Sequence, residues 1–157
     1  MSTPQTVRTI DELRALIGQD LGAGSWLEIT QERVNAFAEV TGDHQWIHVD
    51  PARAAQTPNG GTIAHGYLTL SLLPFLGQHR DGVKLELPSQ MVLNYGMNRV
   101  RFVSPVKVGA RIRARTGLKA VDDISAGVYQ VTYSQTVEIE GAVRPALVAE
   151  TLVRIYL

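Results

Sequence analysis

The amino-acid sequence predicts an α+β fold, and three observations predict it. Up to about residue 76, apolar residues recur at helical spacing between capping residues; from about residue 83 they recur mostly at every second position, the period of half-buried strands. Between the two lies 64–76, where Tyr67, Leu68, Leu70, Leu72, Leu73, Phe75 and Leu76 cover nearly the whole circumference of a helix. A helix apolar all round has to be buried, and runs of helix followed by runs of strand pack as layers. The simplest packing is one buried helix against a curved antiparallel sheet. No repeat, linker or low-complexity stretch divides the chain, so residues 1–157 read as a single domain.

The elements follow in order. Thr9 with Glu12 is a capping box, and Leu13, Leu16 and Ile17 form the stripe of a short helix that stops at Gly18. Thr30 caps a second helix whose inward face is Val34, Phe37 and Ala38, closed by Gly42. Asp50-Pro51 starts a third, with the carboxylate as cap and the proline at the first helical position. Thr57-Pro58-Asn59-Gly60-Gly61 is a loop; it lacks the Gly-Lys-Ser/Thr ending of a phosphate loop. Pro74 should bend or end the central helix, because its ring removes a backbone donor, and His79 and Arg80 at the exit complement the helix dipole. The clearest strand is 129–139, where Tyr129, Val131, Tyr133, Val137 and Ile139 alternate with polar residues. The segments 83–87, 91–103, 111–121 and 145–157 are the other strands.

Composition narrows the functional classes. Fifteen Lys and Arg against fifteen Asp and Glu leave no net charge to draw the chain to nucleic acid or an anionic membrane. Without cysteine there is no disulfide frame, thiol nucleophile or thiolate metal site. Met1 to Thr6 lacks the basic and apolar regions of a signal peptide. The apolar run 67–76 is short and interrupted by Thr69, Ser71 and Pro74. The expectation is a soluble cytoplasmic protein with neither nucleic-acid nor membrane partners.

The chemistry concentrates in two short stretches. Thr41-Gly42-Asp43-His44-Gln45-Trp46-Ile47-His48 puts a carboxylate and an imidazole just past a helix end, a pair able to share the proton traffic of activating water. Ile63-Ala64-His65-Gly66 opens the apolar helix with a glycine whose N–H is free to meet an oxyanion. Together they suggest addition of water to, or its removal from, an activated carbonyl compound. A metal site would recruit His44, His48 and Asp50. Histidines four apart share a face only on a helix, whereas Gly42 and Asp50-Pro51 bracket a non-helical turn. His65 is either a helix-start histidine bonded to backbone or a wall of the site.

Gly42-Asp43 with His48, then Asp50-Pro51 with Ala54, Ala64-His65-Gly66, and Pro105-Val106 with Val108-Gly109 resemble the MaoC-like, (R)-specific enoyl-CoA hydratase family, in its nodulation-protein-N-like branch. The resemblance spans about 29–157. It implies the hotdog fold, a curved sheet wrapped round one long helix, and a homodimer. It implies that Asp43 and His48 are the catalytic pair and that the Gly66 N–H lies in the oxyanion hole. Gln45-Trp46 stands where relatives commonly carry Asn-Pro, and Pro74 stands near a serine that some members use.

The expected reaction is hydration of a trans-2-enoyl thioester to the (R)-3-hydroxyacyl thioester, or its reverse, by an enoyl-CoA hydratase. The substrate is carried on coenzyme A or acyl carrier protein; no metal or further cofactor is expected, because the thioester itself makes C3 electrophilic. A hotdog thioesterase and a non-catalytic acyl-thioester module are the alternatives. Trp46, His65, Asn94, Arg99 and Arg101 are candidate substrate contacts, Trp46 also as an anchor of the turn. Arg111, Arg113 and Arg115 share one face of a strand, and Arg99 and Arg101 one face of a neighbour. Each face either meets coenzyme A phosphates or is simply solvated.

Overall fold

The capping signals set the first elements of the computed structural model, which describes residues 4–157. The start of the N-terminal stretch, residues 1–3, lies outside the described residues. After β1 (Gln5–Val7), α1 (Ile10–Arg14) carries the expected capping box: the Thr9 hydroxyl accepts from the Glu12 N–H and the Glu12 carboxylate from the Thr9 N–H, both at 3.2 Å. Leu13 and Leu16 are buried, but Ile17 is exposed, because the helix ends at Arg14 and the chain has already turned toward Gly18. Two short strands missed by periodicity follow, β2 (Asp20–Ala23) and β3 (Leu27–Glu28).

Helix α2 (Gln31–Thr41) starts at Thr30, whose hydroxyl caps the Arg33 N–H, and ends where Gly42 adopts φ 75°, a left-handed cap that a side chain would strain. Its N–H reaches the Ala38 carbonyl at 2.8 Å. The stretch after Gly42 is not wholly non-helical, as the sequence suggested. It holds one helical turn, α3 (Trp46–Val49), before α4 (Pro51–Ala54), which Asp50 caps through the Arg53 N–H.

The expected long central helix is two short ones, α5 (Gly66–Ser71) and α6 (Leu73–Leu76). Leu72 separates them, and Pro74, with no N–H to give, sits in the first turn of the second. Nor is the pair buried all round: Leu68, Leu72, Leu73 and Leu76 face the sheet, while Tyr67 and Phe75 are 69% and 54% exposed.

The strands β4 (Val83–Leu85), β5 (Met91–Phe102), β6 (Arg111–Ser125), β7 (Val128–Ile139) and β8 (Leu147–Tyr156) complete the chain. The main sheet is six-stranded and antiparallel, in the order β2-β6-β7-β8-β5 with β3 also on β6; β1 and β4 form a small parallel pair. On β6, Ile112, Ala114, Thr116 and Leu118 point inward and are buried, while the alternating arginines point outward.

The inner face carries two apolar clusters. One gathers Leu68, Leu72, Leu76, Ile112, Val137 and Leu147; the other Leu13, Leu21, Leu118, Val131, Tyr133 and Ile155. A polar row crosses the sheet between them: the Thr116 hydroxyl donates to Gln135 Oε1 at 2.9 Å, and Gln135 Nε2 donates to Thr151 Oγ1 at 3.4 Å. β5 is the edge strand and is open to solvent along almost its whole length, with Met91, Val92, Leu93, Tyr95, Met97 and Phe102 exposed. Its pairing with β8 shifts between Asn98 and Arg101, where Arg99 takes φ 53° in a bulge. Among the described residues no helix is long and apolar enough to cross a membrane.

Candidate active site

The Gly42 cap turns the chain off α2, and the α3 turn brings His48 back under it, toward the start of α5. Gln31, in the first turn of α2, fixes this return: its Nε2 donates to the His48 carbonyl at 2.8 Å, and its Oε1 accepts from the Thr62 hydroxyl at 2.5 Å. Nothing in the local sequence pattern singles out Gln31, because both its partners are distant in the chain. From the other side, Ala64 N–H bonds to the Val106 carbonyl and Ile63 N–H to the Ile47 carbonyl, so the stretch before Gly66 is held like a short strand.

One atom of each of Asp43, His48 and His65 lies within 4.8 Å of the others. Both histidines are buried and Asp43 is exposed. His48 Nδ1 lies 2.7 Å from the Ile63 carbonyl; a carbonyl can only accept, so Nδ1 carries the proton and Nε2 keeps its lone pair. Burial holds the His48 pKa below the ordinary 6.5, with the positive form of His65 adding to the effect and the Ile63 bond and Asp43 opposing it. His48 is therefore a neutral imidazole at neutral pH.

His65 is the backbone-bonded helix-start histidine of the two alternatives, and it does not line the cavity described below. Its Nε2 donates to the Asp43 backbone carbonyl at 2.9 Å and lies 3.9 Å from the Asp43 carboxylate; its ring stacks on His48 with centroids 3.8 Å apart. Its Nδ1 is buried without a hydrogen-bond partner among the described residues. The Asp43–His65 juxtaposition is between residues far apart in sequence, so their spacing alone does not reveal it. His44, the first histidine of the conceivable metal set, is turned away toward Glu39 at 3.6 Å.

His48 and Gly66 line one cavity of about 370 Å³, with Tyr67, Thr69 and Phe102. Gly66, as the first residue of α5, has no intrahelical acceptor for its N–H. A Cβ there would meet the Phe102 ring at 2.9 Å, so glycine also leaves room for the wall of the cavity. Thr69, buried one turn on from Gly66, joins the same wall; helical spacing from Gly66 is the signal that could have found it.

The other candidate contacts disperse. Trp46 is half-buried outside this cavity, its ring covered by the Arg53 guanidinium 4.1 Å from the centroid. Asn94 lines a second cavity farther along α5 and α6. Arg99 and Arg101 are exposed on the edge strand, and Arg101 bonds the neighbouring Val100 carbonyl at 2.8 Å. The β6 arginines are instead neutralised on the outer face: Arg111 by Glu140 at 2.9 Å, Arg113 by Glu138 at 2.6 Å, and Arg115 by Asp20 at 2.5 Å and Glu138 at 3.1 Å.

The cavity thus holds a buried imidazole and a backbone N–H at a helix start, while the Asp43 carboxylate lies close to the two histidines but does not line that cavity. The family model described as MaoC like domain matches residues 12–139. The chain is 52% identical over 154 residues to 3-hydroxyacyl-thioester dehydratase Z of Mycobacterium tuberculosis, covering 96% of this chain and 97% of that one. It is 46% identical over 142 residues to Nodulation protein N of Rhizobium leguminosarum bv. viciae, covering 90% and 87%. Its fold matches an (R)-hydratase from A. caviae involved in PHA biosynthesis with a TM-score of 0.68 and 27% identity, over 87% of this chain and 94% of that one. The chain belongs to the MaoC-like dehydratase family and is an enzyme of its hydratase and dehydratase class, built on the hotdog fold.

Proposed function

We infer that the protein is an (R)-specific enoyl-thioester hydratase, working in either direction between a trans-2-enoyl and an (R)-3-hydroxyacyl thioester. The observation that carries this reading is the state of His48: neutral, its proton committed to Ile63, its free Nε2 in the same cavity as the unpartnered Gly66 N–H.

In the hydration direction His48 Nε2 takes a proton from the water that attacks C3, and Asp43 holds that water by its second hydrogen. As the C3–O bond forms, the C2=C3 electron pair shifts toward C1, and negative charge collects on the thioester oxygen. The Gly66 N–H donates to that oxygen. α5 has only six residues, so this single N–H carries more of the effect than any helix dipole. The proton then passes to C2 from the same side, a syn addition that needs no second catalytic face. The relatives point to a thioester substrate: the M. tuberculosis relative is named a 3-hydroxyacyl-thioester dehydratase.

A homodimer completes the reading. β5 exposes both a long unpaired edge and six large apolar side chains, and natural sheets rarely leave such an edge bare. A second copy covering it would bring Arg99 and Arg101 beside the partner's acyl site, where guanidinium groups that meet no carboxylate among the described residues suit coenzyme A phosphates. Incubation with crotonyl-CoA tests the function: loss of enoyl absorbance without thiol release is expected. Release of free thiol would make the protein a thioesterase, and binding without turnover an acyl-thioester module.

A further inference from the structure

The second cavity, also about 370 Å³, lies along the same helices and the same strand as the His48 cavity. Thr69 faces the first; the next residues, Leu70 and Ser71, then Pro74 and Gly77, face the second. On β5, Phe102 belongs to the first and Met97 and Asn94 to the second. From Gly66 to Gly77 the helical rise spans roughly 16 Å, the distance over which a chain entering at Gly66 would run. Much of the second wall is apolar, including Leu70, Leu87, Val92 and Val153, as an acyl chain requires.

Its floor and far end are not apolar. The Thr116–Gln135–Thr151 row forms the floor, and Arg80 and Tyr133 close the far end. Arg80 gives Nη1 to the Gly77 carbonyl at 3.0 Å and Nε to the Val83 carbonyl at 3.4 Å. No carboxylate pairs with it among the described residues, and the adjacent Asp81 accepts instead from the Ala23 N–H at 2.8 Å. Burial lowers its pKa, with Tyr133 opposing that shift. Tyr133 is only 7% exposed, and no protein hydrogen bond holds its hydroxyl among the described residues. Burial pushes its pKa up to about 12, so at neutral pH it is an O–H donor.

A helix-end cap explains the two carbonyl bonds of Arg80. It leaves the rest of the half-buried guanidinium and the Tyr133 hydroxyl opening onto the cavity, with no protein partner among the described residues. Both are donors, one is a cation, and neither has an anion, so the group that completes them accepts hydrogen bonds only and carries negative charge. We propose that this cavity is a recognition subsite for an acyl chain ending in a carboxylate, held by the Arg80 guanidinium and the Tyr133 hydroxyl. The inference rests on the thioester reading above for the end that enters first, but its binding does not depend on turnover.

Calorimetric titration of the protein with sebacyl-CoA and with decanoyl-CoA tests it. These two saturated thioesters differ at the far end, and neither can be hydrated. Sebacyl-CoA should bind at least about tenfold more tightly, as a charge-assisted pair predicts. The advantage should collapse in both Tyr133→Phe and Arg80→Gln, and if Arg80→Gln does not fold, Tyr133→Phe decides. Equal affinities in the unmodified protein overturn the subsite even where crotonyl-CoA is hydrated. An advantage that survives Tyr133→Phe overturns it too. A sebacyl-CoA advantage in a protein that leaves crotonyl-CoA untouched would keep the subsite and remove the hydratase reading.

Discussion

The segment from Gly42 to Gly66 and the outer face of β6 both gather titratable side chains, and they treat them in opposite ways. On β6 every arginine meets a carboxylate from β7 or β2, or from the turn after β7, at the surface, where water shares the cost of ordering them. In the Gly42–Gly66 segment two histidines are stacked away from solvent, each hydrogen-bonded to a backbone carbonyl, with His65 Nδ1 left without a partner among the described residues. The first arrangement is complete in itself. The second leaves a buried polar atom, His65 Nδ1, without a partner among the described residues, and a buried group left unmatched is a better pointer to a functional site than any density of charge.

The largest expected effect breaks the comparison at its core. Asp43→Asn and His48→Gln should each lower crotonyl-CoA hydration at least about a hundredfold, with circular dichroism unchanged. Near-normal turnover in either would move the chemistry elsewhere. Arg101→Gln should raise KM for crotonyl-CoA several-fold, roughly the worth of one charge-assisted contact, and leave KM for the phosphate-free crotonyl-N-acetylcysteamine unchanged. Arg113→Gln should change neither value. Equal effects from the two arginines would erase the distinction between the strands.

Acidity sharpens the contrast without mutation. The acid limb of kcat/KM should fall below pH 6.5, because burial lowers the His48 pKa from that value; a limb at or above it would assign the base to another group. The sign for stability is the same. The unfolded chain takes up that proton first, so the neutral histidine supports folding above 6.5 and progressively less as pH drops below it.

The smallest effect belongs to the ladder. Burial alone would raise the Glu138 pKa, yet the hydrogen bonds from Arg113 and Arg115 bring it below the ordinary 4.5. That contribution is full above 4.5 and is lost as pH falls through the lower folded value. Arg113→Gln should cost less than about 1 kcal/mol in urea unfolding at neutral pH. A larger loss would make the ladder structural rather than incidental.

Sequence made most of this architecture legible where a signal is local. The caps at Thr9, Thr30 and Asp50, the left-handed Gly42 and the alternation along β7 depend on neighbours within a turn or two. β1 to β3 were not visible: strands of two to four residues have no period of their own and exist only through β4 and β6. The unbroken central helix failed because apolar content speaks for burial, not for continuity across Leu72 and Pro74. Tyr67 and Phe75, which the same apolar content would place inside, face outward instead. Asp43, His48 and Gly66 stood out together by spacing. Their supports, Gln31 and the His65 bond to Asp43, join residues distant in the chain.

The polar row across the inner face has a thermodynamic corollary. Thr116, Gln135 and Thr151 divide what would otherwise be one core, so the two apolar clusters are joined mainly through the strands that run under both, and the helix pair packs on one of them. A ligand lying in the cavity above that row touches both sides of the divide. Its occupancy would tie the two clusters together, so ligand should raise the melting temperature and bring the hydrogen-exchange protection of the two clusters closer together.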